Sequence, residues 1–120
     1  MKKILLIDDD HLVVKSLARL LEKEGFTISC AESGLKALEL IEQTNFDLII
    51  SDIRMPGIDG IEIAKKVRET LKQVTIIFIT GYSDSQSYDR SKAVNPSDFI
   101  YKPFDKDKFL QSIKAALGNK

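Results

Sequence analysis

Five short apolar runs punctuate the chain, at residues 4–7, 26–30, 48–50, 76–79 and 99–101. Between them apolar residues recur at helical spacing. Val13, Leu17, Leu20 and Leu21 form one such stripe, and Leu35, Leu38 and Ile41 a second. Ile61, Ala64 and Val67 form another, and Phe109, Ile113, Ala116 and Leu117 the last. Gly25 reads as a stop after the first helix and Ser33 as the cap of the second. A strand followed by a helix, repeated five times, predicts an α/β fold: a parallel sheet with helices on both faces.

The same pattern orders the strands. Ile-Leu-Leu-Ile, Leu-Ile-Ile and Ile-Ile-Phe-Ile are continuously apolar, as strands buried on both faces must be. Phe-Thr-Ile-Ser-Cys alternates and Phe-Ile-Tyr is short, which puts the second and fifth strands at the edges. The result is the flavodoxin-like, doubly wound order 2-1-3-4-5. The fourth helical segment, residues 83–92, holds four serines and almost no apolar stripe. Serine and aspartate compete with a helix for backbone hydrogen bonds, so this helix should be short or frayed, and Pro96 ends it.

Composition narrows the function classes. The 120 residues suit one domain spanning 1–120, and 43% hydrophobic content supports an ordinary globular core. Eighteen basic residues balance eighteen acidic ones, which argues against direct nucleic-acid binding or an anionic membrane partner. The single cysteine, Cys30, precludes an internal disulfide and reads as a small buried thiol. The opening apolar run is four residues long and ends in three aspartates, so it makes no signal peptide. No stretch approaches the ~18 apolar residues of a membrane span, and a cytoplasmic location follows by default.

In such sheets the ligand crevice lies beyond the carboxyl ends of the strands where strand order reverses, here between strands one and three. Strand one ends in Asp8-Asp9-Asp10 and strand three in Ser51-Asp52. Strand four ends in Thr80-Gly81 and strand five in Lys102-Pro103. Two unit charges about 5 Å apart repel by roughly 3 kcal/mol at an effective dielectric of 20. Asp8, Asp9 and Asp52 together therefore call for a cation, and oxygen ligands without histidine or thiolate favour Mg²⁺. Asp10, at the start of the first helix, reads instead as its cap.

With these residues in place the chain resembles the response-regulator receiver (CheY-like) family over essentially its whole length. The resemblance rests on Asp8-Asp9, on Asp52 within Ser-Asp-Ile-Arg-Met-Pro-Gly-Ile-Asp-Gly60, on Thr80, and on Lys102-Pro103-Phe104. It implies that Asp52 accepts a phosphoryl group from a histidine kinase or phosphotransfer protein. It further implies that Asp8, Asp9, Asp52 and the backbone carbonyl of Arg54 hold Mg²⁺, and that Thr80 and Lys102 bind the phosphoryl oxygens. The Lys102–Pro103 bond should be cis. Thr80 and Phe99 would act as the switch, and Arg54 and Tyr82 would tune the phosphate lifetime. A downstream protein would read the face made by the fourth helix, fifth strand and fifth helix, on a monomer or a phosphorylation-dependent dimer. Gly81 and Asn95-Pro96 depart from the common pattern, implying a more open site and a stiffer loop.

Other readings compete. Leu-Leu-Ile-Asp8-Asp-Asp10 also matches the apolar strand and Asp-x-Asp of haloacid-dehalogenase-type phosphatases. Leu12 stands where that family has threonine or valine, and 120 residues leave no room for a substrate cap. A flavodoxin-like cofactor binder lacks its phosphate loop after strand one. His11 reads as a surface residue, and Lys65, Lys66, Arg68 and Lys72 as a solvated basic face.

Overall fold

A computed structural model describes residues 2–70, 73–81 and 85–118, with the side chains of residues 85–87 outside that description. Five strands form one parallel sheet: β1 (Lys3–Ile7), β2 (Thr27–Ala31), β3 (Leu48–Asp52), β4 (Thr75–Thr80) and β5 (Asp98–Tyr101). Their order is β2-β1-β3-β4-β5, the doubly wound flavodoxin-like arrangement. The helices are α1 (His11–Lys23), α2 (Gly34–Gln43), α3 (Gly60–Glu69), α4 (Ser85–Ser91) and α5 (Lys106–Ala116). A short 3-10 turn, Lys92–Val94, follows α4.

The period of two along each central strand builds two cores. Leu5, Ile7, Ile49, Ile76 and Phe78 face one side and pack with Ala37, Ile41, Ile61, Ala64 and Val67 of α2 and α3. Ile4, Leu6, Leu48, Ile50, Ile77 and Ile79 face the other and pack with Leu17, Leu21, Phe109 and Ile113 of α1 and α5. Each fully buried Leu or Ile stabilises by about 1.5–3 kcal/mol, so these continuous apolar runs fix which strands are central.

Helix ends follow local chemistry. Asp10 caps α1, accepting from the amides of Leu12 and Val13. Gly25 then reverses the chain at φ 94°, a conformation glycine adopts without steric cost. Ser33 caps α2, and Asp59 with Glu62 closes a capping box on α3. Among the described residues α4 spans 7, Ser85–Ser91. Asn95 ends the following turn in the left-handed region at φ 52°, just before Pro96.

Three expectations need correction. Cys30 is exposed, because β2 is an edge strand and the sheet covers it from one side only. Leu35 is 70% exposed, since the buried face of α2 runs through Gly34, Ala37 and Ile41 instead. Arg68 is not solvated: its Nε donates to the Val94 carbonyl at 3.0 Å and its Nη1 to the Val74 carbonyl at 2.7 Å. Among the described residues, no helix is long and apolar enough to cross a membrane.

Candidate metal centre

The register of the sheet delivers the acidic residues to one place. Ile7 pairs with Ser51, and Asp52 pairs with Ile79. The residue that follows β1, Asp8, therefore emerges beside the last residue of β3. One carboxylate oxygen from each of Asp8, Asp9 and Asp52 lies within 4.8 Å of the others. Asp8 and Asp52 are buried and Asp9 is exposed, so the cluster opens to solvent on one side. Like charges at that separation cost about 3 kcal/mol per pair at an effective dielectric of 20.

Backbone amides hold the two buried carboxylates in place. Asp8 Oδ1 accepts from the Asp10 amide at 2.9 Å, and Asp52 Oδ1 accepts from the Ile53 amide at 2.8 Å. Lys102 approaches from the β5–α5 loop. Its Nζ donates to Asp8 Oδ2 at 3.0 Å and stands 3.6 Å from Asp52 Oδ2. The Lys102 amide donates to the Thr80 carbonyl at 2.7 Å, tying the β4 and β5 ends together, and the Lys102–Pro103 bond is cis. Thr80 is fully buried at the end of β4.

These surroundings disfavour the Asp52 charge. Burial first, then the Asp8 carboxylate, push its pKa up to about 6, against the pull of Lys102 and the Ile53 amide. Burial lowers the Lys102 pKa, but its hydrogen bond to Asp8 and the charges of Asp52 and Asp8 outweigh that and raise it. The Lys102 ammonium meets two of the three carboxylates, and the three side chains that could hold an ion all offer hard oxygens. This donor set fits Mg²⁺, which takes a few carboxylates and keeps several waters.

Arg54 is exposed on the β3–α3 loop and lines a groove with Met55, Pro56, Asp59 and Arg90. Tyr82 lies outside the described residues. Phe99 is half-buried, its ring 6.3 Å from Phe78, 5.4 Å from Tyr88 and 5.2 Å from Tyr101. His11 stays apart, its Nδ1 3.0 Å from Glu32 Oε2 on the surface. A Cβ placed on Gly81 would meet no described atom within 4 Å.

Two residues of the motif, Ser51 and Gly60, take roles that the sequence pattern did not assign. Ser51 Oγ donates to the Asp52 carbonyl at 2.8 Å. Gly60 lets α3 press against that same carbonyl, since a Cβ there would lie 2.1 Å from the Asp52 oxygen and 2.6 Å from Ser51 Oγ. A glycine directly after a capping aspartate at a helix start was the available signal.

Comparison with known proteins agrees with this architecture. The family model described as response regulator receiver domain matches residues 4–114. Sporulation initiation phosphotransferase F of Bacillus subtilis is 32% identical over 116 residues, covering 97% of this chain and 94% of that protein. Transcriptional regulatory protein ResD of the same organism is 35% identical over 115 residues, but the chain covers only 48% of its length. This chain thus spans nearly all of the first relative and about half of the second. Among solved structures, a CheY-like receiver domain protein from Methanospirillum hungatei superposes with TM-score 0.94 at 30% identity, covering 98% of this chain and 94% of that one. The response regulator TrrA from Thermotoga maritima, in complex with Mg²⁺ and BeF, gives TM-score 0.87 at 37% identity, with 97% and 99% coverage.

Proposed function

This chain belongs to the response regulator receiver domain family, and on that premise we propose that Asp52 accepts a phosphoryl group from a phosphohistidine of a kinase or phosphotransfer protein. The observation that carries this reading is the clustering of the Asp8, Asp9 and Asp52 carboxylates within 4.8 Å of one another, with the Lys102 ammonium against Asp8 and Asp52. Asp8, Asp9, Asp52 and the carbonyl of Arg54 would hold Mg²⁺, which supplies positive charge against the carboxylates and the equatorial phosphoryl oxygens. The Mg²⁺ and BeF complex of TrrA supports that assignment.

The chain's own residues do the rest. The Asp52 carboxylate attacks phosphorus, the new O–P bond forms as the donor's N–P bond breaks, and the departing imidazole keeps the electron pair. Lys102, already 3.6 Å from Asp52 Oδ2, would swing its ammonium from Asp8 toward the incoming phosphoryl oxygens. The Thr80 hydroxyl, at the end of the adjoining strand, would bind another. The product is a mixed anhydride, so water attacking phosphorus releases inorganic phosphate and restores the carboxylate. Arg54 and Tyr82 would slow that attack by their bulk.

The output would follow from the added charge and three strong acceptors at Asp52. Thr80 turning toward them would vacate space below β4 into which Phe99 moves from its contacts with Tyr88 and Tyr101, altering the α4-β5-α5 face. A downstream protein reads that face, on a monomer or a phosphorylation-dependent dimer. The balance of eighteen basic and eighteen acidic residues supports a protein that binds neither nucleic acid nor membrane directly, and a cytoplasmic location is part of the same proposal.

Incubation with acetyl phosphate and Mg²⁺, followed by intact mass, tests the acceptor role. We expect one added phosphoryl group, lost in Asp52→Asn and on chelation of the metal. Turnover of assorted phosphomonoesters that needs Asp8 but not Asp52 would refute it in favour of a haloacid-dehalogenase-type phosphatase.

A further inference from the structure

A continuous set of short hydrogen bonds leaves the centre along the β3–α3 loop. The Ile53 amide donates to Asp52 Oδ1 at 2.8 Å, and the Ile53 carbonyl accepts from the Gly60 amide at 2.9 Å. The loop from Ile53 to Gly60 is thereby closed on itself. Asp59, the residue before Gly60 and the cap of α3, then accepts from Arg90 Nη2 of α4 at 2.9 Å through its Oδ2. Three bonds connect the Asp52 carboxylate to α4 without passing through Thr80 or Phe99.

The two ends of the α4 segment are fastened differently. At its far end Arg68 of α3 holds the Val94 and Val74 carbonyls from a half-buried position. Asn95 turns left-handed there, and the Ser97 amide bonds the Ile76 carbonyl at 2.7 Å. Neutral carbonyl acceptors shielded from solvent make this a firm anchorage. The Arg90–Asp59 pair is different, because the Arg90 side chain is 44% exposed and the bond is open to screening by salt. From Tyr88 to the end of α4 only Ser91 is buried, and Tyr88 rests an exposed ring against Phe99 at 5.4 Å.

The geometry points to a hinge and a latch. The α4 segment pivots at the Arg68–Val94 anchorage, and the Arg90–Asp59 ion pair latches it to the β3–α3 loop while Asp52 carries no phosphoryl group. Loading Asp52 disturbs its bond to the Ile53 amide and, through the closed loop, the carboxylate of Asp59. Coupling of this kind is reciprocal, so releasing the latch makes the centre more receptive. The inference rests on the reading of Asp52 as phosphoacceptor and adds a second route by which that site controls α4.

The test is the affinity of the protein for beryllofluoride with Mg²⁺, measured by calorimetry in wild type, Asp59→Asn, Arg90→Gln and the double variant. Asparagine is as good a helix cap as aspartate, so Asp59→Asn removes the charge and leaves α3 capped. We expect each single variant to bind about threefold more tightly, the size an exposed ion pair supports. The double variant should match the singles, and the difference from wild type should shrink at high salt. Unchanged, weaker or additive affinities in the variants refute the latch while leaving the acceptor role standing. Failure of the wild type itself to bind, or binding that survives Asp52→Asn, overturns the acceptor reading and the latch with it.

Discussion

Burial and the Asp8 carboxylate together push the pKa of Asp52 from 3.8 up to about 6, although Lys102 pulls the other way. A carboxyl group whose pKa is raised by folding is one that folding makes harder to ionise. Its contribution is most favourable below about pH 4 and is lost as pH rises through about 6. In the metal-free protein Asp52→Asn should therefore raise stability above pH 6, by about 1–2 kcal/mol, and leave it unchanged near pH 4. Thermal melts in chelator check this, and a variant no more stable than wild type at pH 8 contradicts it. Gly60 is the opposite case, a residue that matters by what it lacks. Gly60→Ala places a methyl group 2.1 Å from the Asp52 carbonyl, and neither backbone has room to give. A loss of about 2–4 kcal/mol in urea unfolding is expected, with weakened Mg²⁺ binding, because the displaced strand end is the one that carries Asp52.

Elements were legible to different depths, for physical reasons. The central strands could be read directly, because burial on both faces demands continuous apolar runs such as Ile4 to Ile7. Caps at Asp10 and Ser33 were equally plain, since the interaction spans only two or three residues. Leu35 shows where helical periodicity misleads: a one-residue change of phase moves a side chain from core to solvent. Arg68 could not be placed, because its acceptors lie 6 and 26 residues away and only the fold brings them together. Its anchorage makes a prediction at this scale. Arg68→Ala leaves two carbonyls short of a donor, which should cost about 1–3 kcal/mol and speed hydrogen exchange near Val94 to Ser97. Exchange there that stays at the wild-type rate would show that other contacts hold the segment.

At the scale of the molecule, two apolar layers hold a five-stranded sheet whose order reverses between β1 and β3, where Asp8, Asp9 and Asp52 come together. The site was legible from sequence because it is built almost wholly from strand ends: Asp8 after β1, Asp52 ending β3, Thr80 ending β4 and Lys102 after β5. What surrounds those ends, the close approach of α3 at Gly60 and the Asp59–Arg90 pair, depends on how the helices pack and so takes its geometry from the folded chain. The central claim is that Asp52, and no other residue, takes the phosphoryl group. An acyl phosphate is reduced by borohydride to the alcohol, which converts an aspartyl phosphate into homoserine. Wild-type protein treated with acetyl phosphate and Mg²⁺, then borohydride, should yield homoserine at position 52 alone when its peptides are mapped by mass. Homoserine at Asp8 or Asp9, or phosphate found on His11, would contradict the account.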